Sequence, residues 1–322
     1  MTNLLEKKDR KLPTLNIDST RENCLSPELG RKLREYFDKE QRWANFSNLQ
    51  SLKNTHLTSI FTEVDIEVLS RTGLIDIGDE ESFSWNFMPV LGNQILLFGD
   101  LPRYESYRQY VWLSARINGR SWRFAEFWPI KHGDHVLDLG TGAGLLALQA
   151  RLKGASAVGI DINPRAVPIA SLNRCLNGLD QVEFRVVDWN AIDGSQFDLI
   201  VSQPPFGTNL EGTSPSLAFD GKSLTGIHVT KEIIKRFCPQ KGQTLSLYVH
   251  ILENERHSRF QGLLNELVDD KAVSIEIDPQ DSYSVEAWWE RTRRLRNVES
   301  IPLPSSFQGY CDVVAYFVSL SR

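Results

Sequence analysis

The feature that most constrains the fold is a short apolar segment that runs directly into a glycine-rich turn. The letters VLDL (136–139) have the composition of a buried strand, and GTGAG (140–144) follows at once, before the helical stretch LLALQARL. Glycines permit a tight turn and bring backbone N–H groups close to a bound ligand. The sequence therefore predicts a ligand-binding turn between a strand and a helix. On its own this pattern is also compatible with a dinucleotide site.

From residue 133 onward, strand-like and helical segments alternate. The strand-like segments are HVLDLG, SAVGIDI, VEFRVVD, FDLIVSQ, TLSLYVHI, AVSIEI and DVVAYFVSL. Helical segments separate the first five of them, which is typical of a doubly wound sheet. We therefore expect an α/β fold with a seven-stranded Rossmann-like sheet.

Two carboxylates follow the next two strands. Asp161 ends the second strand about twenty residues after the glycine loop, where a carboxylate can accept hydrogen bonds from both ribose hydroxyls of an adenosyl group. Asp188 ends the third strand and could accept a hydrogen bond from the adenine amino group. The neighbouring Trp189 could stack on the adenine ring or simply pack in the core.

Taken together, these motifs resemble the class I S-adenosylmethionine-dependent methyltransferase family. The resemblance rests on DLGTGAG (138–144), Asp161, the Asp188–Trp189 pair and FDLIVSQPPFG (197–207), and it covers about residues 104–322. It implies S-adenosylmethionine as cofactor, with the glycine loop beneath the methionine part, Asp161 at the ribose and Asp188 at the adenine. Asp138 would orient the loop and the cofactor's amino group. The cofactor-binding residues predicted in this way are Asp138, Gly140, Thr141, Gly142, Gly144, Asp161, Ile162, Asp188, Trp189 and Gln203.

The FDLIVSQPPFG segment bears on the substrate. It is similar to FDLIVSNPPY, the signature of amino methyltransferases that act on adenine N6, guanine N2 or the glutamine side-chain nitrogen. In that family the Asn side chain and a Pro carbonyl accept hydrogen bonds from a planar NH₂ group, which is catalysis by positioning. By this resemblance the catalytic residues are Gln203, Pro204, Pro205 and Phe206. Gln203 departs from the family's Asn, and its amide lies about 1.5 Å further from the backbone.

The N-terminal part of the chain is predicted to be a separate accessory or substrate domain. Ser26 and Pro27 have the pattern of an N-cap followed by the first helical residue, with Leu29, Leu33 and Phe37 on one face. A second helix is expected near residues 64–71, and LIDIG, SFSWNF and VLGNQILLFGD read as strands. We therefore expect a small α+β domain over 1–103, for which a winged-helix-like form is one candidate, and a catalytic domain over 104–322.

Two aromatic segments allow both a structural and a functional interpretation. Residues 102–132 are rich in Tyr, Trp and Phe, and they could pack the two domains together or cover the active site as a lid. Residues 288–296, WWERTRRLR, could contact an anion or nucleic acid, or form an amphipathic helix with solvent-exposed arginines.

Bulk composition limits the setting and the partners. The net charge of −5 gives no general attraction to phosphate backbones. The four cysteines are widely spaced without a C-x-x-C pair, so neither a metal site nor a disulfide framework is expected. The start of the chain lacks the apolar stretch of a signal peptide, and no apolar run is long enough for a membrane span. We therefore expect a metal-free cytoplasmic protein.

These observations predict an S-adenosylmethionine-dependent N-methyltransferase. Its acceptor would be an amino or amide nitrogen of a small molecule or peptide. The first alternative is N-methylation of adenine or guanine in RNA, which is less favoured because of the acidic charge balance. A second alternative transfers a different alkyl group of the cofactor, for example by cyclisation to azetidine-2-carboxylate with release of methylthioadenosine. The substitution of Gln203 for Asn is its sequence indication.

Overall fold

The computed structural model describes residues 15, 25–40, 52–53, 60–78, 82–91, 94–100, 111, 119–206, 227–256, 259–268, 272–295, 302–303 and 305–322. In the N-terminal part the helices and strands are α1 (Pro27–Glu40), β1 (Leu52–Lys53), α2 (Glu63–Arg71), β2 (Ile75–Ile77), β3 (Ser82–Trp85), β4 (Phe87–Leu91) and β5 (Leu96–Asp100). The rest of the chain contains α3 (Arg120–Phe127), β6 (His135–Leu139), α4 (Leu145–Leu152), β7 (Ser156–Asp161), α5 (Ala166–Leu176), β8 (Val182–Val186), β9 (Leu199–Ser202), α6 (Ile227–Arg236), β10 (Thr244–Glu253), α7 (Arg259–Leu267), β11 (Ala272–Ile277), β12 (Tyr283–Ser284), α8 (Val285–Leu295) and β13 (Asp312–Ser321).

The main sheet has the strand order β11-β13-β10-β9-β6-β7-β8. Strands β8, β7, β6, β9 and β10 are parallel to one another. Strand β13 is antiparallel to both β10 and β11, and the short β12 pairs with its beginning. The predicted α/β fold with a seven-stranded Rossmann-like sheet is confirmed.

The strand order creates a crevice at one edge of the sheet. The chain moves outward from β6 to β7 and β8 on one side, and it then returns to place β9 and β10 on the other side. Ligands of open α/β sheets bind at the carboxyl ends of the strands where this reversal occurs. The glycine loop after β6 and the QPPF segment after β9 both lie at this position.

The two faces of the sheet explain the continuous apolar strands. Because successive residues of a strand point to opposite faces, Val136 packs with residues of α4 and α5, whereas Leu137 and Leu139 pack with Ile233 of α6. A strand that is covered by helices on both faces has no polar side to alternate with.

The N-terminal helices form where the sequence predicts them. Helix α1 begins with Pro27, and Ser26 Oγ accepts a hydrogen bond of 3.1 Å from the Leu29 backbone N–H. Leu29, Leu33 and Phe37 are buried, as their spacing predicts. Strands β1, β3 and β2 form a small antiparallel sheet, and β4 and β5 form a two-stranded pair. The division at residue 103 stays a prediction, because the described N-terminal residues share one apolar cluster with α4 and α5.

Helix α5 is the element that joins the N-terminal part to the main sheet. Gly30 of α1 lies against its end, since a Cβ placed on Gly30 would be 1.8 Å from the Leu176 carbonyl oxygen. At its start, Arg165 pairs with Asp100 at the end of β5, with a nitrogen–oxygen distance of 2.7 Å. The carboxylate of Asp100 is fully buried, so both elements are held in one arrangement.

Asn173 of α5 and Asn177, the residue that directly follows this helix, bind the backbone of β5. The Asn173 amide accepts from the Phe98 N–H at 2.7 Å and donates to the Phe98 carbonyl at 2.9 Å. The Asn177 amide accepts from the Leu96 N–H at 2.9 Å and donates to the Leu96 carbonyl at 2.7 Å. The spacing of four residues between the two asparagines therefore matches the spacing of two residues in the strand.

The aromatic segment over 102–132 is described only at residue 111 and from residue 119. There the aromatic side chains of α3 favour the packing interpretation, because Trp122, Phe124 and Trp128 are buried in the shared apolar cluster. No disulfide framework was expected, but Cys175 of α5 is in a disulfide whose partner lies outside the described residues. Cys238 and Cys311 are free thiols.

The second aromatic segment, WWERTRRLR, forms the major part of α8. Trp289 is buried, and it packs against Phe307 with ring centroids 6.1 Å apart. The arginine side chains on which the anion-binding interpretation depends lie outside the described side chains. That interpretation therefore stays a prediction.

Candidate active site

A cavity of about 270 Å³ opens at the carboxyl ends of β6, β7 and β9. The predicted site residues that line it are Gly140, Thr141, Gly142, Asp161, Ile162, Asp188, Trp189, Gln203, Pro204, Pro205 and Phe206. The two remaining predicted residues are outside the cavity lining: Asp138 lies on β6, and Gly144 is the last residue of the glycine loop. The geometry therefore brings together motifs that are separated by up to about seventy positions in the sequence.

The glycine loop is held against the neighbouring strand by its backbone. The N–H groups of Gly140 and Thr141 both donate to the Ile160 carbonyl at 2.9 Å. Gly140 has a φ of 72°, and a Cβ at this position would meet no atom within 4 Å, so the loop faces open space in the cavity. Gly144 has a φ of 86°, and a Cβ there would approach the Phe184 ring at 2.9 Å. One glycine thus leaves room for a ligand, and the other permits close packing.

Asp138 stabilises the loop from inside the protein. Its Oδ2 accepts hydrogen bonds from the Thr141 hydroxyl at 2.7 Å and from the Ala147 N–H at 3.2 Å. Its Oδ1 is buried, with no hydrogen-bond partner among the described residues. Burial raises the pKa of Asp138 to about 7, although both hydrogen bonds act to lower it. Asp138 thus contacts the loop from inside the protein, and its role toward the cofactor's amino group stays a prediction.

Asp161 lies beside the loop at the end of β7. Its Oδ2 accepts from the Gly142 N–H at 2.9 Å, and its Oδ1 accepts from the Asn163 N–H at 2.8 Å. Burial raises the pKa of Asp161, against the effect of these backbone hydrogen bonds. Both oxygens are thus oriented by backbone donors and retain lone pairs. The next residue, Ile162, is 58% exposed at the cavity wall, which offers an apolar surface to a ligand.

Asp188 differs slightly from its predicted position. Strand β8 ends at Val186, and Asp188 instead caps a short 3₁₀ turn over Trp189–Ala191. Its Oδ1 accepts from the backbone N–H and from the side-chain amide of Asn190, each at 2.9 Å. Trp189 both lines the cavity and packs against the apolar cluster on the α6 side of the sheet, so the two interpretations of this residue are compatible.

The QPPF segment forms the wall opposite Asp161. Gln203 follows β9 directly, and its Oε1 accepts a hydrogen bond of 2.6 Å from the hydroxyl of Ser121 in α3. Phe206 packs between His250 and Trp288, with ring centroids 5.5 Å from each. The longer side chain at position 203 is therefore held by a specific partner.

Sequence reasoning missed His250, which also lines the cavity. Its Nε2 lies 2.9 Å from Oδ2 of Asp281, and both side chains are buried. Burial lowers the pKa of His250, and the charge of Arg120 acts in the same direction. A sequence signal for this residue existed, because His250 is an ionisable residue in the otherwise apolar strand LSLYVHIL.

Two arginines of α3 form ion pairs with two aspartates next to His250. Arg120 Nε lies 3.0 Å from Asp281 Oδ2, and Arg123 donates to Asp278 Oδ2 at 2.6 Å and 2.9 Å. Burial acts to raise the pKa of Asp281, but the hydrogen bond from His250 and the charge of Arg120 hold it well below its usual range. Burial and the two carboxylates raise the pKa of Tyr248, which donates to Asp278 at 2.7 Å.

Within the described ranges, no group of three or more His, Cys, Asp or Glu side chains could hold a metal ion. No helix in the same residues is long and apolar enough to cross a membrane. The loop facing open space, the oriented Asp161 and the exposed Ile162 fit an adenosyl group joined to an amino acid.

The fold and this site together define a class I S-adenosylmethionine-dependent methyltransferase domain, with S-adenosylmethionine as its cofactor. Residues 130–257 match a protein family that is described as a methyltransferase domain. This segment runs from the beginning of β6 to the end of β10, and it contains every residue predicted to bind the cofactor.

Several curated relatives are similar to part of this chain. The release factor glutamine methyltransferase of Rhodospirillum rubrum is 51% identical over 101 residues, which are 29% of this chain and 31% of the relative. The ribosomal protein L11 methyltransferase of Pelobacter propionicus is 46% identical over 76 residues, or 23% of this chain and 24% of the relative. A candidate ribosomal RNA large subunit methyltransferase of Methanocaldococcus jannaschii is 25% identical over 158 residues, or 42% of this chain and 41% of the relative. The chain thus spans less than half the length of each of these relatives.

Proposed function

We propose that the protein transfers the methyl group of S-adenosylmethionine to an amino or amide nitrogen of a small molecule or peptide. The observation that carries this proposal is the position of QPPF. Gln203 and Phe206 line the same cavity as the glycine loop and Asp161. An acceptor nitrogen between them would therefore be next to the cofactor.

The cofactor supplies an electrophilic methyl group on a sulfonium ion, and the protein's task is to position the acceptor. Gln203 Oε1 has two lone pairs and uses one for Ser121, so the other can accept from an N–H group of the acceptor. Phe206 supplies a flat apolar surface that limits how the acceptor tilts. Holding the nitrogen in line with the methyl group is the principal source of rate enhancement in such a site.

The names of the relatives bear on the class of acceptor. One is named for glutamine and a release factor, and another for ribosomal protein L11. A glutamine side chain offers an amide nitrogen, which is one of the acceptors proposed here. The third is named for ribosomal RNA, which keeps RNA as the second candidate acceptor. Because each relative matches less than half of this chain, we use these names only to choose which acceptors to test.

The test is incubation of the purified protein with isotopically labelled S-adenosylmethionine and separate pools of amines, amides, peptides and RNA. Mass spectrometry of all products identifies both the acceptor and the leaving group. We expect S-adenosylhomocysteine together with an N-methylated amine, amide or peptide. Methylated RNA as the main product would favour the second candidate. Methylthioadenosine in place of S-adenosylhomocysteine would overturn methyl transfer and favour transfer of another alkyl group.

A further inference from the structure

His250 lies at the cavity with buried charged partners, and the positioning of an acceptor by Gln203 and Phe206 does not explain its presence there. It lies on β10, lines the cavity and contacts Phe206 across 5.5 Å with its ring tilted by 32°. An amide or nucleobase amino group is uncharged at pH 7, so its methylation needs no group that removes a proton before attack. The buried histidine beside Phe206 therefore needs another explanation.

The partners of His250 specify which ring nitrogen carries the proton. Nε2 faces Asp281 Oδ2 at 2.9 Å, and Oδ1 of the same carboxylate accepts from the Tyr283 hydroxyl at 3.1 Å. An ionised carboxylate only accepts hydrogen bonds, so Nε2 must be the protonated nitrogen. Nδ1 then keeps its lone pair, and it makes no hydrogen bond within the described part of the chain. This is the tautomer of a proton acceptor that is oriented by a carboxylate.

The charged groups around His250 come from two elements and form two ion pairs. Helix α3 contributes Arg120 and Arg123, and the turn between β11 and β12 contributes Asp278 and Asp281. Among the described residues, the hydroxyls of Tyr248, on the same strand, and of Tyr283 are further titratable groups, and both contact Asp281. Burial lowers the pKa of His250, so the imidazole is neutral at pH 7. The Asp281 carboxylate can stabilise the imidazolium that forms when the ring accepts a proton.

We propose that His250 removes a proton from the acceptor, and that the acceptor is therefore an alkyl amine that is protonated in water. This inference rests on the proposed N-methyl transfer and narrows its substrate class. The ammonium group gives one proton to Nδ1, while Nε2–H stays bonded to Asp281. The freed nitrogen lone pair forms the N–C bond as the S–C bond breaks, and the bonding pair stays on sulfur. The proton on His250 leaves to solvent, so each turnover releases one proton. The apolar Phe206 helps, because it disfavours the charged form of the bound amine.

The kinetic test compares the wild-type protein with His250→Gln, which can keep a hydrogen bond to Asp281 but cannot accept the proton. The probes are single alkyl amines and lysine-containing peptides, each with its matching amide. We expect His250→Gln to lower kcat at pH 7 by about 10²-fold or more. The loss should shrink as the pH rises toward about 10, the ordinary pKa of an alkyl amine, because the free amine then exists in solution. Affinity for S-adenosylmethionine should stay within about two-fold of wild type.

The matched control is His228→Gln on α6. Its side chain is 52% exposed and forms a surface pair with Glu232, so its kcat should equal that of wild type at every pH. An unchanged kcat in His250→Gln at pH 7 would overturn the proposal. A loss of equal size at all pH values would do so as well, because it indicates a structural role. Wild-type methylation of amides alone would overturn the amine acceptor while leaving N-methyl transfer intact.

A second readout needs no acceptor. Nitrogen NMR of the histidine rings, with His250→Gln identifying the signal, should show Nε2–H and an unprotonated Nδ1 at pH 7. The opposite tautomer, or an imidazolium at pH 7, would overturn the assignment of His250 as proton acceptor. Failure of the wild-type protein to methylate any probe would count against the proposed function. The NMR result would still test whether His250 has the protonation state of a proton acceptor.

Discussion

The hydroxyl of Ser121 donates a hydrogen bond of 2.6 Å to Oε1 of Gln203, and this pair joins α3 to the wall of the active site. An asparagine at position 203 would place its amide about 1.5 Å closer to β9. It would then lie too far from Ser121 for this hydrogen bond. The hydrogen bond therefore depends both on Gln203, which replaces the asparagine of the NPP pattern, and on Ser121 of α3.

Replacement of Gln203 should reduce turnover more than it reduces affinity for the cofactor. We expect Gln203→Ala to lower kcat by about 10²-fold, or 2.7 kcal/mol, because the acceptor loses its positioning group. Gln203→Asn should be nearly as damaging, since the shorter amide loses Ser121. Steady-state kinetics and calorimetry with S-adenosylmethionine measure the two quantities. Wild-type rates in both variants would show that Gln203 only packs.

Ser121→Ala tests the same pair from the other side. It should lower kcat by about 10-fold, because Gln203 keeps its amide but loses one orienting hydrogen bond. The double variant Ser121→Ala/Gln203→Ala should be no slower than Gln203→Ala alone. Additive losses would mean that Ser121 acts independently of Gln203.

Asp161→Ala should weaken the binding of S-adenosylmethionine by about 1–3 kcal/mol, because the ribose hydroxyls lose a charged acceptor. Asp193→Ala is the matched control. Asp193 accepts from the Ser195 N–H at 2.9 Å in a similar turn, but it lies on the surface outside the cavity lining. Calorimetry should show wild-type affinity for this control. Equal affinities of Asp161→Ala and wild type would contradict the ribose assignment.

The site divides clearly into what local sequence could and could not predict. The strand, glycine loop and helix around Gly140 are consecutive, so their geometry follows from neighbouring residues. Asp161 and Gln203 could be placed because each ends a parallel strand, and such strand ends meet at one edge of the sheet. The early end of β8 before Asp188 was missed because strand boundaries depend on pairing with β7.

Contacts between distant segments could not be predicted from the sequence. His250 and Asp281 meet only because β10 and the turn after β11 are brought together across β13. The contact of Gly30 with Leu176 depends on the angle at which two helices cross. The disulfide of Cys175 was missed for a similar reason, since cysteine spacing does not reveal which segments lie side by side.

The stability of the protein should depend on pH through Asp138. Burial raises the pKa of this carboxyl to about 7, whereas an unfolded Asp titrates near about 3.9. The stability that the retained proton contributes is full below pH ~4 and is lost as the pH rises through ~7. Asp138→Asn cannot titrate, so its stability relative to wild type should rise by about 2–4 kcal/mol between pH 4.5 and pH 8. Urea unfolding at both pH values measures this change, and a pH-independent difference would contradict it.

The helix contact at Gly30 should tolerate no side chain. Gly30→Ala places a methyl group where the Leu176 carbonyl lies, so we expect a loss of about 1–3 kcal/mol or more in the free energy of unfolding. Gly262→Ala is the matched control in α7, since a Cβ there meets no atom within 4 Å. It should stabilise the protein by about 0.5–1 kcal/mol through helix propensity. Thermal unfolding of the two variants should therefore show shifts of opposite sign, and similar shifts would refute the close contact.

Asn173 and Asn177 have a consequence for how this protein behaves at high concentration. A strand at the edge of a small sheet offers unpaired N–H and C=O groups, which can recruit a strand from another molecule. Asn173 and Asn177 each present an amide to one residue of β5, in the manner of two peptide groups of a neighbouring strand. The two asparagine side chains thereby take the place of a neighbouring strand beside β5. Side-chain amides thus occupy the backbone groups of Leu96 and Phe98 through which edge-to-edge pairing with another molecule would otherwise occur.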